Sequence, residues 1–188
     1  MVNDPWGVET VTQDLAELLA KDLDAHFEAF VRSRQDRVYS GMLRLVRHPE
    51  DAADLTQETF VKAYRALSGY SAPRIRDMSL DGWVWTIALN LCRGRGRVKR
   101  PTLVPLEGAE PSARSAEQEA VARIEGDRLV AGLRRLTPDQ RETIVLHHVA
   151  GLSYREISEA TGKPEGTLKS NVARGIQRLS TILENEHD

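Results

Sequence analysis

Three groups of residues in this chain have the types and spacing to do chemistry. In DAADLTQETF, residues 51 to 60, Asp51, Asp54 and Glu58 fall three and four positions apart, which puts three carboxylates on one face of a helix. Like charges so placed cost roughly 0.2–0.5 kcal/mol per pair. The stripe therefore either awaits a basic partner or is relieved locally. Local relief is available, because acids near a helix N-terminus are favourable and Lys62 lies four residues after Glu58. The second group is RGRGRVKR, where Arg93, Arg95, Arg97, Lys99 and Arg100 make five basic residues in eight with no acid among them. Such a run contacts phosphates or is a solvated tail.

The third group is SYREISEATGKPEGTLKSNVARGIQRL, a short helix, a glycine turn at Gly162 and a longer helix. Ile157 and Ser158 sit where the two helices meet. Leu168 and Val172 fix the second helix, which leaves Glu165, Gly166, Thr167, Lys169, Ser170, Ala173 and Arg174 outward. In a DNA-binding helix-turn-helix the N-terminal part of the second helix enters the major groove. Lys169 and Arg174 suit phosphates or guanine edges, and Thr167 and Ser170 suit phosphates or bases. Gly166 would let the helix start approach a phosphate closely. An ordinary helical hairpin has the same outline, and Lys163 stands after the turn where an apolar residue is more usual.

Composition excludes several classes. The 188 residues carry a net charge of −2, so any nucleic-acid signal must be local. The start, MVNDPWGVETVTQDLAELLAK, reads as neither signal peptide nor anchor, and no stretch approaches the roughly 18 apolar residues of a membrane span. A cytoplasmic location is the simplest expectation. One cysteine, Cys92, excludes an internal disulfide and a cysteine-based zinc cluster. His147 and His148 are adjacent and cannot chelate one metal from one helix face, so they read as structural. No nucleophile–base pair or phosphate-cradling loop is present, so neither an enzyme, a cofactor, a metal nor a small-molecule substrate is expected.

The elements that must position these groups are all helical. Residues 24 to about 98 carry mostly helical periodicity, with Phe27, Phe30, Val31, Val38, Met42 and Leu45 as a first stripe. Pro49 and the following acids start a second helix, expected to bury Ala53, Phe60, Ala63, Tyr64 and Leu67. SGYSAPRIRDMS reads as a loop. A third helix, LDGWVWTIALNLCR, presents Leu80, Val84, Ile87 and Leu91, and Gly94 and Gly96 suggest an early end to it. Trp83 and Trp85 cannot share a face. Trp83 belongs near the buried stripe, while Trp85 either packs on another helix or stacks on an unpaired base. Residues 101–115, with three prolines, form a linker, and 1–23 an N-terminal extension. Ser115 to Gln118, Thr137 to Gln140 and Ser153 to Glu156 are capping boxes, and a last helix has the stripe Leu168, Val172, Ile176 and Leu179. The expected architecture is all-α, with two small helical domains, 24–100 and 116–188, joined by a flexible linker.

DAADLTQETFVKAY, then WVWTIALN before the basic run, then LRRLTPDQRETIVLHHVAGLSYREISEATGKPEGTLKSNVARGIQRL, resemble in that order the small sigma factors of the extracytoplasmic-function group. The resemblance covers residues 24 to 183. It implies a dissociable subunit of bacterial RNA polymerase that brings core enzyme to chosen promoters. The first domain would dock on a coiled coil of the largest core subunit through Asp51, Asp54, Leu55, Gln57 and Glu58, with Leu55 an apolar anchor. That domain would also bind the −10 element, with Tyr70, Arg74, Arg76, Trp85, Asn90, Arg93, Arg95 and Arg97 as candidates and the 68–79 loop taking a flipped-out base. The second would bind the −35 element through Glu165, Gly166, Thr167, Lys169, Ser170 and Arg174 and contact the flap of the other large subunit. An anti-sigma partner, often membrane-tethered, is implied as well. A free dimeric helix-turn-helix regulator is the alternative reading, and it would not need the two upstream segments.

Overall fold

The computed structural model describes residues 8–46, 48–96, 126 and 128–185. Arg97, Lys99, Arg100, the 101–115 linker and the Ser115–Gln118 box lie outside the described residues. The chain runs α1 (Val8–Lys21), α2 (Leu23–Val46), α3 (Pro49–Leu67), α4 (Ala72–Asp77) and α5 (Leu80–Gly96). Helical residues 128–134 form α6. Then come α7 (Pro138–Ile144), extended by a π-helical turn (Val145–Val149), α8 (Tyr154–Thr161) and α9 (Glu165–Glu184). Among the described residues there is no strand.

The helix starts follow the local chemistry. Pro49 opens α3 with Glu50 and Asp51 in its first turn, where acids offset the positive end of the helix dipole. Thr137 and Ser153 each complete a reciprocal capping box, with Gln140 and Glu156. Gly151 and Gly162 take φ of 74° and 73°, a region that a side chain would strain.

Helices α2, α3 and α5 pack on one another around Phe30, Val38, Met42, Leu55, Leu80, Val84, Trp85 and Leu89. The buried stripe of α3 is Ala52, Leu55, Thr56, Thr59, Phe60, Ala63 and Leu67, so the expected burial of Ala53 and Tyr64 is corrected: both are exposed. The apolar positions of α3 are compatible with either orientation, and Thr56 and Thr59 settle it. Their hydroxyls donate to the carbonyls of Ala52 and Leu55 at 2.7 and 2.6 Å and enter the core already satisfied.

The alternative left open for Trp85 is resolved in favour of packing on another helix. Trp85 is 2% exposed, and its six-membered ring fills the space beside Gly41 of α2, where even a Cβ would collide with it. Trp83 is the partly exposed one. Arg34, 6% exposed, is held by Asp81 in the first turn of α5 at 2.8 Å, which ties α2 to the start of that helix.

Two further expectations change. Within the expected 68–79 loop, residues 72–77 form α4, a single short helix with Pro73 in its first turn and Ile75 buried. Six residues are too few to show a period in sequence. Helix α5 does not stop early but continues to Gly96.

The two lobes also meet. Helix α8 packs on α5, and the π-helical turn packs on α2. Leu146, Ala150, Leu152, Ile157, Ala160 and Leu168 therefore share one apolar cluster with α2, α3 and α5. A smaller cluster of Leu133, Leu136, Ile144, Val172 and Ile182 belongs to the second lobe alone. Ile176, expected in the α9 stripe, is 45% exposed. Gly175 takes the inward position instead, and a Cβ there would come within 2.5 Å of the Ile144 side chain.

Candidate nucleic-acid and partner interfaces

The acidic stripe exists on α3, and it is already partnered. Arg95, in the last turn of α5, reaches Glu58 at 3.3 Å, Asp54 at 3.5 Å and Asp51 at 3.9 Å. Lys62 pairs with Glu58 at 3.6 Å, and His48 lies 4.0 Å from Asp51. The repulsion among three carboxylates is thus relieved from another helix as well as locally. The same contact gives Gly94 and Gly96 a reason to remain helical, since three carboxylates hold the turn between them. Leu55 does not lie beside this stripe as an anchor. It is 0% exposed and cannot reach a partner, because it follows Asp54 by one position and points a quarter turn inward.

Next to the stripe, α2 and α3 border an apolar groove of about 630 Å³ lined by Phe27, Val31, Tyr39, Phe60, Val61 and Tyr64, with Gln57 at its side. Tyr64 donates to Asp24 at 2.5 Å across it. Sequence reasoning missed this groove, whose walls come from two helices. Its signal was the exposed Val61 and Tyr64 next to the buried face of α3.

On α4, the Arg74 guanidinium sits 3.6 Å above the Tyr70 ring. The Tyr70 ring centroid lies 6.0 Å from that of Trp83. Tyr70 and Arg74 are thus brought together with Trp83, while Trp85 is withdrawn from any such group by its burial. Arg76 faces the other way and pairs with Glu17 of α1 at 2.6 Å. Asn90 is exposed on α5. Arg93 reaches Glu142 of α7 at 3.4 Å.

The helix-turn-helix is formed by α8, the Gly162 turn and α9. Leu168 and Val172 are buried, whereas Glu165, Gly166, Thr167, Lys169, Ala173 and Arg174 are exposed and Ser170 is half-buried. A Cβ on Gly166 would meet nothing within 4 Å, so no packing inside the chain requires a glycine there. Lys169 lies 3.9 Å from Glu165 and 5.7 Å from the Tyr154 ring centroid.

Lys163 has a specific place. Its ammonium bridges Asp139 at 2.9 Å and Glu142 at 3.0 Å, pinning the turn to α7. Burial pulls its pKa down, but the hydrogen bonds to those two carboxylates outweigh burial and hold it above the ordinary lysine value. Glu156 works in the opposite sense. Burial pushes its carboxyl up, and hydrogen bonds from Ser79 and Ser153 overcome this and hold it below the ordinary range. The Ser79 hydroxyl comes from the other lobe. His147 donates from Nδ1 to the Leu152 carbonyl at 2.8 Å and stacks on Tyr154. Among the described residues no group of three or more potential ligands could hold a metal.

Residues 30–100 match the family profile described as Sigma-70 region 2, and residues 127–179 match that described as Sigma-70, region 4. The chain is 35% identical over 167 residues to "ECF RNA polymerase sigma factor SigE" of Mycolicibacterium smegmatis, covering 84% of this chain and 61% of that protein. It is 32% identical over 161 residues to "RNA polymerase sigma-E factor" of Streptomyces avermitilis, covering 85% and 86%. In fold it is similar to CnrH, solved in complex with the cytosolic domain of CnrY, with a TM-score of 0.69 at 24% identity over 93% of this chain and 97% of that one. It is likewise similar to the sigma factor RpoE of Bartonella quintana, solved with the anti-sigma factor NepR, with a TM-score of 0.65 at 24% identity over 84% and 96%.

Proposed function

The chain belongs to the sigma-70 family of RNA polymerase subunits, in its extracytoplasmic-function group, and on that premise we propose which of its surfaces carry each part of the work. It directs core RNA polymerase to specific promoters and starts transcription there. The family is one of regulatory subunits, in which the polymerase performs the chemistry. Residues 24–100 form the body that meets core enzyme and the −10 element, and 116–188 the body that meets the −35 element.

The observation that carries the docking assignment is the stripe of Asp51, Asp54 and Glu58 beside an apolar groove. Acids give register and encounter rate, and the groove offers the area to be dried. Gln57 lies between the two and adds a neutral hydrogen-bonding group. The partner is the coiled coil of the largest core subunit. Arg95 covers the acids in the unbound chain, so docking exchanges an internal cation for an external one.

For the −10 element, Tyr70, Arg74 and Trp83 form a cation-topped aromatic group suited to an unstacked base. Asn90 and Arg93 lie farther along α5, where the backbone would pass. For the −35 element, Thr167, Lys169, Ser170 and Arg174 face the major groove, with the Gly166 end of α9 against a phosphate. The second body also contacts the flap of the other large subunit.

Both fold neighbours were solved with a bound partner, and an anti-sigma partner covering the same surfaces is proposed for this chain. Its site of action is the cytoplasm; among the described residues no helix is long and apolar enough to cross a membrane.

Reconstitution tests the assignment. Core enzyme with this chain should initiate at promoters recovered by selection from a random library, and substitution of all three acids should abolish core binding. Unchanged core binding in that variant would remove the docking assignment.

A further inference from the structure

Helix α1 precedes the matched region, which begins at residue 30, and nothing in the family match accounts for it. It packs on α2 and on α4. Leu15, Ala16 and Leu19 are 7%, 4% and 1% exposed, and Ile75 of α4 is 3% exposed. An isolated six-residue helix has no stability of its own, since helices shorter than about 12–15 residues are marginal in water. Helix α4 is therefore held in place by what touches its two sides. On one side Arg76 pairs with Glu17 of α1 at 2.6 Å. On the other, Arg74 lies on Tyr70, which neighbours Trp83. The two arginines, two positions apart on one short helix, thus link α1 to the aromatic group.

We infer that α1 is a positioning element for promoter recognition: it seats α4 through Leu15, Leu19 and Ile75, and the Glu17–Arg76 pair sets the orientation in which Tyr70, Arg74 and Trp83 are presented to the unpaired strand. This rests on the reading of that group as the −10 contact. Arg76 then acts through Glu17 and not on DNA.

Both residues of the pair are exposed, which makes the pair testable without unfolding the chain. Full-length variants with core enzyme would be assayed for initiation on promoters carrying each single −10 substitution. Glu17→Arg should reduce discrimination at one −10 position about two- to fivefold, the range an exposed ion pair can carry. Core affinity and the effect of −35 substitutions should stay unchanged. Glu17→Arg combined with Arg76→Glu should restore discrimination. A double variant no better than its parents would overturn the inference, as would Glu17→Arg without effect where Arg74→Ala does change discrimination. If Arg74→Ala and Tyr70→Ala also leave discrimination untouched, the −10 reading itself falls, and the inference with it.

Discussion

The Arg95 guanidinium lies 3.3 Å from the Glu58 carboxylate and within 4 Å of two more acids, Asp54 and Asp51, on a helix more than thirty residues earlier in the chain. A surface assigned to a basic partner thus carries a basic occupant of its own. Arg95 is 39% exposed, so each of its pairs is of the weak, salt-screened kind worth about 0.2–1 kcal/mol. A stronger competitor displaces it without large cost.

Arg95→Gln should therefore quicken association with core enzyme severalfold at low salt, with the gain vanishing as ionic strength rises. Stopped-flow binding at a series of salt concentrations reads this. A slower association would mean that Arg95 helps to shape the docking surface and does not compete for it.

Gly41→Ala should destabilise the chain by about 1–3 kcal/mol, because the added methyl meets the Trp85 ring with α2 and α5 already in contact. Thermal melting would fall by roughly 2–4 °C per kcal/mol for a chain of this size. Trp83→Ala should cost much less stability and should lower initiation on promoters with a strong −10 element. The reverse pattern would exchange the roles of the two tryptophans.

Glu156 and Lys163 predict opposite pH windows. The Glu156 carboxyl is held below its ordinary value, so its contribution is present above the unfolded-state pKa and is lost as pH falls through the lower folded value. Glu156→Gln keeps a capping residue at this position and should flatten the acid limb of a stability–pH profile. Lys163 is held above its ordinary value of 10.5. Its contribution is present below that value and is lost as pH rises through the higher folded one, so Lys163→Met should flatten the alkaline limb.

Lys169→Ala and Arg174→Ala should separate phosphate contact from base reading on −35 DNA. Loss of a phosphate contact weakens all sequences alike and lowers the salt slope by about 0.9. Loss of a base contact costs about 1–3 kcal/mol at one position only. Quantitative binding to singly substituted −35 duplexes at two salt concentrations distinguishes them, and no change in either variant would remove both residues from the interface.

Some of this was open to sequence reasoning and some was not. The two capping boxes at Thr137 and Ser153, the Gly162 turn and the start of α3 at Pro49 are local, because backbone groups within one turn satisfy each other. The inward face of α3, the choice between packing and stacking for Trp85, the helix within 68–79 and the outward Ile176 were not legible. The helix within 68–79 is too short to show a period; in the other cases apolar residues occupy adjacent faces, and a neighbouring helix decides which face is covered. Lys163 was out of place in a local pattern because its reason lies on α7, at Asp139 and Glu142.

What the sequence determined by itself was the longer helices from α2 onward, the caps at Thr137 and Ser153, the Gly162 turn, the order of the family's segments and the charge of each surface, since these depend on residues within a few turns of one another. What only the tertiary structure decided was which charges already have partners and which side chains are free to meet another molecule. Arg95 over the acidic stripe, Leu55 withdrawn into the core and α1 seated on α4 all come from contacts between distant segments, and such contacts leave no period in a sequence.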